Sequence, residues 1–194
     1  TTVRLTSHLL RANGLRVGMT NTDGVYVNGR QTDSGDCSGP RSGRNVLAHP
    51  DVDAAVLETA RGGMLREGLA FDRCQVAVVT NIGMGDHLGL NYITTVEDLA
   101  VLKRVIVQNV AESGTAVLNA TDPMVVAMAN KCPGQVTFFG LDSHHPVIAT
   151  HRAQGKRVLF VEDDQIVAMQ GNHSVRIPLS EIPVTRGGAI SFQI

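Results

Sequence analysis

The 194-residue sequence predicts an α/β fold: a mostly parallel sheet with flanking helices, followed by a small antiparallel β meander. Three observations carry this prediction. Between residues 54 and 139 short β-branched runs alternate with helical stretches, as parallel strands joined by helical crossovers do. Beyond residue 145 the runs become short and are separated by tight polar turns. A chain of 194 residues that is 43% hydrophobic can also bury one ordinary core without a disulfide scaffold.

Over residues 1–12, Val3, Leu5, Leu9, Leu10 and Ala12 recur at near-helical spacing, and Asn13-Gly14 supplies the left-handed stop of a helix end. Residues 24–32 read as a hairpin turning at Asn28-Gly29. Residues 37–43 (CSGPRSG) are rich enough in Gly, Ser and Pro to predict a loop. Residues 54–58 and 75–80 are buried strands with a glycine-rich helical stretch, 62–69, between them. A helix over 96–110 is entered through Thr94-Thr95, with Glu97 and Asp98 favouring its start. Residues 115–118 form a strand, Asp122-Pro123 open a helix to Lys131, and 136–139 form a further strand. The meander is expected over 147–151, 157–161, 165–169 and 174–178, with another strand just before Ile194. The reading is one domain over 1–194, divided into an α/β core, 1–144, and an antiparallel appendage, 145–194.

Charge and composition remove several classes of function. Lys and Arg number 17 against 18 Asp and Glu, so no basic excess is available to neutralise a nucleic-acid backbone. Five Phe, two Tyr and no Trp leave little to stack on bases. The longest apolar run, residues 124–129, is far short of the ~20 residues a spanning helix needs. Neither a nucleic-acid nor a membrane partner is expected. Cys37, Cys74 and Cys132 stand singly without a CxxC pair, which points to a reducing, cytoplasmic setting. The first residue is Thr1 and no leader pattern follows it, so the polypeptide reads as trimmed or partial.

Several residues could carry chemistry. Glu58 stands where a buried strand ends, the edge at which open α/β sheets place ligands, although a carboxylate there could equally cap the Gly62-Gly63 turn. Asn81, Asp86 and His87 cluster in a glycine-rich loop at a second strand end; with Glu58 they are compatible with a Mg²⁺ and phosphate site. Lys103 lies mid-helix among Leu99, Leu102, Ile106 and Val107, so its stem should be partly buried even if its ammonium reaches water. Thr1 and Thr2 head a helix, where hydroxyls and free amides favour anions or simply cap. His144, His145 and His151 lack companions at ligand spacing and are expected on turns and strand edges at the surface. Arg61, Arg66 and Arg73 could hold a carboxylate or pair with Glu67 and Asp72.

The strings TNTDG, LETARGGMLREGLAFDRC, VVTNIGMGDHLGL and LNATDP together resemble the central ATPase domain of the Mur ligase superfamily, a phosphate-loop NTPase fold. The likeness runs from Thr1 to Gln193 and is strongest toward the branch that holds the cyanophycin synthetases, with cell-wall Mur ligases and folylpolyglutamate synthetase more distant. TTVRLTSHLL is similar to the stretch that follows Gly-Lys in the family's GTNGKT loop. The resemblance implies an ATP- and Mg²⁺-dependent ligase that phosphorylates a carboxylate, giving an acyl phosphate that an amine attacks to form an amide. It implies Glu58 and His87 as magnesium ligands and Thr1 or Thr2 as the hydroxyl on the nucleotide-bound Mg²⁺, with Asn81 and Asp86 shaping their loop. Lys103, sixteen residues after His87, falls near the carbamylated lysine that binds a second magnesium in several members. In the cyanophycin branch the domain adds arginine to an aspartate side chain, so ATP, a carboxylate and arginine are the implied partners; the family also includes homo-oligomers.

Two departures stand out. Asp86 is five residues after Asn81, where the cell-wall enzymes place Asp four after the Asn, and Gly89 replaces a final Asp; Met84 stands where an acid is expected. The Gly-Lys of the phosphate loop and the adenine-binding helix are not in the sequence, so this chain by itself is expected to be inactive. The alternatives are an inert structural module of such a ligase, another Mur or folylpolyglutamate-type ligase, and a phosphate-loop switch or kinase-like ATPase, which Glu58, Asn81 and His87 disfavour.

Overall fold

A computed structural model of the chain describes residues 1–83, 88–89 and 92–185. Asp86, His87 and the strand expected before Ile194 therefore lie outside the described residues. The chain forms two compact units, Thr1–Asp72 and Arg73–Ile194. The division expected from sequence was at 144.

The first unit contains α1 (Thr2–Ala12), β1 (Val17–Asn21), β2 (Gly24–Val27), β3 (Arg30–Ser34), α2 (Pro40–Leu47), β4 (Ala54–Leu57) and α3 (Arg61–Glu67). Its sheet runs β3-β2-β1-β4, with β1 antiparallel to β2 and parallel to β4. The predicted hairpin is β2–β3; Asn28 and Gly29 at its turn have φ of 49° and 83°, the left-handed values that favour this dipeptide. Strand alternation sorts the side chains between two helices. Val25, Ala55 and Leu57 lie with Val46 of α2, and a Cβ on Gly18 would sit 2.4 Å from Val46 Cγ1, so only glycine permits this approach. On the opposite face α1 crosses the sheet: its Arg4 pairs with Asp23 and lies 5.5 Å from the ring centre of Tyr26, the partner of Met19.

Two expectations need correction here. Residues 40–43 are not loop but the start of α2. Gly39 takes the extended N-cap conformation and Pro40 stands in the first turn, where its missing N–H has no helical partner to lose. Strand β1 was not anticipated, because its buried five-residue run ends in polar Thr20 and Asn21.

The second unit contains β5 (Cys74–Val79), α4 (Val96–Gln108), β6 (Val110–Asn119), α5 (Pro123–Ala127) continuing into a 3-10 turn (Met128–Lys131), β7 (Gln135–Asp142), α6 (Pro146–Ala153), β8 (Val158–Glu162), β9 (Gln165–Gln170) and β10 (His173–Pro178). Strands β5 to β8 are parallel neighbours, and β9 and β10 continue the sheet antiparallel. Leu99 and Val107 of α4, Val125 of α5 and Ile148 of α6 pack with Ala77, Leu118, Phe138 and Val158 of the sheet in one core. At the head of α4, Thr95 and Asp98 form a reciprocal capping box that holds the Asp98 carboxyl below its ordinary range.

The strand expected over 147–151 is helical. Pro146 opens α6, and Ile148 and His151, three apart, share its buried face. His151 is accordingly not a surface residue: it is 8% exposed, donates from Nε2 to Val136 O at 2.9 Å and stands edge-on to Phe138. Among the described residues the antiparallel segment thus has three strands, and its first, β8, pairs parallel with β7.

Candidate functional site

In the first unit the candidate site lies at the carboxyl ends of β1 and β4. The Glu58 N–H donates to Thr20 O at 3.1 Å, extending the parallel ladder one residue past β4. Alternation then carries the half-buried Glu58 side chain, with that of Asn21, to the face that α1 covers. Helix α1 runs antiparallel to β1: Arg4 reaches Asp23 just beyond the end of β1, while Arg11 reaches Gly29, whose neighbour Asn28 bonds Val17 at the strand's start. The amino end of α1, with exposed Thr1 and Thr2, therefore lies at the same rim as Glu58. Thr1, the N-cap residue, makes no side-chain cap hydrogen bond.

The segment preceding α2 is stitched to both strand ends. Cys37 N donates to Asn21 O at 3.0 Å, and Ala60 N to Ser38 O at 3.1 Å. Ser38 donates through Oγ and N to Asp36, which holds that carboxyl below the usual range. Two side chains at this rim were not singled out from sequence. Asn21, 2% exposed, accepts from Asp23 N and Gly24 N through Oδ1, while among the described residues its Nδ2 has no acceptor. Thr20 is fully buried on the α2 face and its Oγ1 likewise has no partner among the described residues. Buried polar atoms are almost always paired, so an orphan at a strand end marks a place for a ligand or a retained cost. The sequence signal was their place at the head of the TNTDG string, directly after the apolar Val17-Gly18-Met19, without a role for either side chain.

The second unit has its own strand-end cluster. Asn119, at the end of β6 and 3% exposed, donates from Nδ2 to Thr80 O at 2.8 Å and accepts from Thr121 N at 2.9 Å. Asp122 caps α5 through Oδ1, with Met124 N at 2.9 Å, and accepts from Ile82 N through Oδ2 at 2.7 Å. Asn81 lies between the two anchored residues and is exposed, with Thr80 Oγ1 bonded to its Oδ1 at 3.0 Å. Lys103 is half-buried on α4, as its apolar neighbours required.

Other candidates fall elsewhere. His144 and His145 flank the start of α6, and Glu67 takes Arg44 at 2.7 Å. Arg73 lines a cavity of about 440 Å³ with Glu112, Ser113 and Pro133. That cavity is at the amino ends of β5 and β6, away from the Thr80–Ile82 rim. Among the described residues no three His, Cys, Asp or Glu side chains form a metal cluster, and no helix is long and apolar enough to cross a membrane. Magnesium needs no such cluster, since it binds through one or two protein ligands plus waters and phosphates. The residues of the first unit suit that pattern: the Glu58 carboxylate for a hard cation, with the orphaned Asn21 Nδ2 and the first-turn amides of α1 for an anion.

The model of the Mur ligase middle domain matches residues 1–180. The chain belongs to the Mur ligase middle domain family. Within this family it is 44% identical to cyanophycin synthetase of Synechocystis sp. and 43% identical to that of Crocosphaera subtropica, in each case over 100% of this chain and 22% of the relative. The chain thus spans about a fifth of the length of these curated relatives. Among solved structures it superposes on UDP-N-acetylmuramoyl-L-alanyl-D-glutamate–2,6-diaminopimelate ligase with a TM-score of 0.64 at 18% identity, covering 90% of this chain and 36% of that one. It superposes on E. coli FolC in complex with DHPP and ADP with a TM-score of 0.57 at 15% identity, covering 96% and 47%. These two superpositions bear on the fold, which is the α/β fold the sequence predicted.

Proposed function

We propose that this Mur ligase middle domain is the nucleotide-handling part of an ATP-dependent carboxylate–amine ligase that works through an acyl phosphate in the cytoplasm. We further propose that it joins arginine to an aspartate side chain. The observation that carries this reading is the rim of the first unit, where the amino end of α1, Glu58 and the unpartnered Nδ2 of Asn21 meet at the ends of two parallel strands. It is supported by 44% and 43% identity to two cyanophycin synthetases along the whole chain.

In this reading the first-turn amides of α1 and the hydroxyl of Thr1 or Thr2 orient the nucleotide phosphates. Glu58 and His87 would hold magnesium, which when bound offsets charge on the transferring phosphoryl group. Asn81 and Asp86 shape the loop that carries His87. Lys103 would act as a carbamate, formed from its neutral amine and carbon dioxide with release of a proton, whose oxygens would hold a second magnesium.

The test follows oxygen in the native polypeptide that carries this chain. With the acceptor carboxylate labelled with ¹⁸O, an acyl phosphate intermediate delivers one labelled oxygen to the released phosphate for each amide formed. Unlabelled phosphate refutes the acyl phosphate. Turnover supported equally by other amino acids refutes the assignment of arginine. Glu58→Gln should lower turnover by ~10²-fold or more, as loss of a group that positions transferring phosphate does.

A further inference from the structure

We infer that Asn119 and Asp122 are positioning residues that hold the strand-end segment Thr80–Ile82 in register for the reaction. The inference rests on the functional reading above and adds two residues to it. The observation is a pair of cross-links from the end of β6 to the segment leaving β5. Asn119 Nδ2 donates to Thr80 O at 2.8 Å, and Ile82 N donates to Asp122 Oδ2 at 2.7 Å. They bracket Asn81, so the backbone on both sides of this exposed residue is tied to a neighbouring strand end. Ile82, 7% exposed, adds an apolar anchor in the core beneath. The segment leads directly into Gly83 and the Met-Gly-Asp-His sequence of residues 84–87.

Each side chain also has a purely local task that uses its other atom. Asn119 Oδ1 accepts from Thr121 N at 2.9 Å and Thr121 Oγ1 at 2.8 Å, and Asp122 Oδ1 caps α5. A turn residue and a helix cap need only those oxygens. Turn and cap alone would be served as well by Asp at 119 and by Asn or Ser at 122, since all are good turn or cap residues. Among the described residues the amide at 119 and the second carboxylate oxygen at 122 bond to the Thr80–Ile82 backbone. This division of labour allows the positioning role to be removed without the structural one. Asn119→Asp keeps the turn acceptor but places an oxygen against Thr80 O. Asp122→Asn keeps the cap but turns an amide toward Ile82 N–H, and Asp122→Ser keeps the cap without reaching Ile82.

The experiment measures amino-acid-dependent ATP turnover and its Mg²⁺ half-saturation in the native polypeptide, together with melting temperature, for N119D, D122N, D122S and the reference variant E58Q. Because an ångström of misplacement at a reacting centre costs up to ~10²-fold, each of the three variants should lose about 10- to 100-fold in kcat/KM. Their Mg²⁺ half-saturation should rise several-fold, with part of the rate restored at high Mg²⁺, while melting falls by the ~2–12 °C that one unsatisfied buried polar group costs at this length and the protein stays folded at the assay temperature. The double variant N119D/D122N should be little worse than the poorer single, since both act on one segment. A parental Mg²⁺ half-saturation in N119D and in both Asp122 variants, whatever their rate, overturns the positioning role. If E58Q leaves the rate and its Mg²⁺ dependence untouched, the functional reading fails instead.

Discussion

The orphaned hydroxyl of Thr20 gives the sharpest test of the strand-end geometry. Thr20 is 0% exposed, sits opposite Val25 and Leu57 in the sheet, and faces the cluster built around Val25, Cys37 and Val46. Its Oγ1 has no partner there among the described residues. A buried hydroxyl left unpaired costs about 1–3 kcal/mol, and valine replaces it with a methyl of nearly the same shape. Thr20→Val should therefore stabilise the chain by ~1–2 kcal/mol. At this length each kcal/mol corresponds to about 2–4 °C, so melting should rise by ~2–8 °C, with a matching shift of the urea midpoint at unchanged slope. Thr20→Ser keeps the hydroxyl and drops the methyl, and should lose about 1 kcal/mol. The order of stability is thus Val above Thr above Ser. A Val variant less stable than the parent refutes the reasoning, because it would mean that the hydroxyl is satisfied in solution.

Further outcomes follow from single contacts. Gly62 and Gly63 both lie in α3, but a Cβ at 62 meets only the tip of Arg66 at 3.3 Å, whereas one at 63 comes within 2.7 Å of Pro40 Cδ and 3.0 Å of Gly39 Cα. Gly62→Ala should stabilise by up to ~1 kcal/mol through helix propensity, and Gly63→Ala should destabilise by ~1–3 kcal/mol through overpacking, a contrast that urea titration reads directly. Burial holds the His151 pKa below its ordinary 6.5. The unfolded chain then takes the proton first, so this contribution is complete above pH 6.5 and is lost as pH falls below it; His151→Gln should flatten the slope of stability from pH 6.5 to 5. Asp53 accepts from Arg16 N at 2.9 Å and pairs with its guanidinium at 2.8 Å, which brings its pKa from 3.8 to about 2. The stabilisation is present above pH 3.8 and lost toward pH 2, and Asp53→Asn should remove that limb of an acid-unfolding curve.

The parallel core was legible because its period and its caps agree. Residues 75–80, 96–110 and 115–118 each carry one unambiguous hydrophobic pattern, and Thr94-Thr95 before Glu97-Asp98 announced the capping box that α4 shows. The misreadings occur where composition and position compete. In CSGPRSG, abundance of Gly, Ser and Pro suggested a loop, yet Gly39 followed by Pro40 is also how a helix begins. In Pro146–Ala153, the short run Val147-Ile148 fits either period, and what decides is Pro146 ahead of it and the burial of His151 three residues beyond Ile148.

The candidate site divides along a different line. Glu58 could be singled out because a carboxylate at the end of an apolar strand breaks the local pattern. Thr20, Asn21, Asn119 and Asp122 lie in the strings TNTDG and LNATDP but could be given no role, because each also reads as an ordinary turn or cap residue, and for three of them that reading is correct as far as it goes: one atom of the side chain does serve the turn or the helix. Their additional task belongs to the second polar atom, whose partner lies 39 or 40 residues away at Asn119 and Asp122, or has no protein partner among the described residues at Asn21. Sequence reasoning assigns a residue type to a local motif and stops once the motif is satisfied. A bifunctional side chain satisfies it with half its atoms, so the half that bears on function becomes visible only when every donor and acceptor is accounted for in three dimensions.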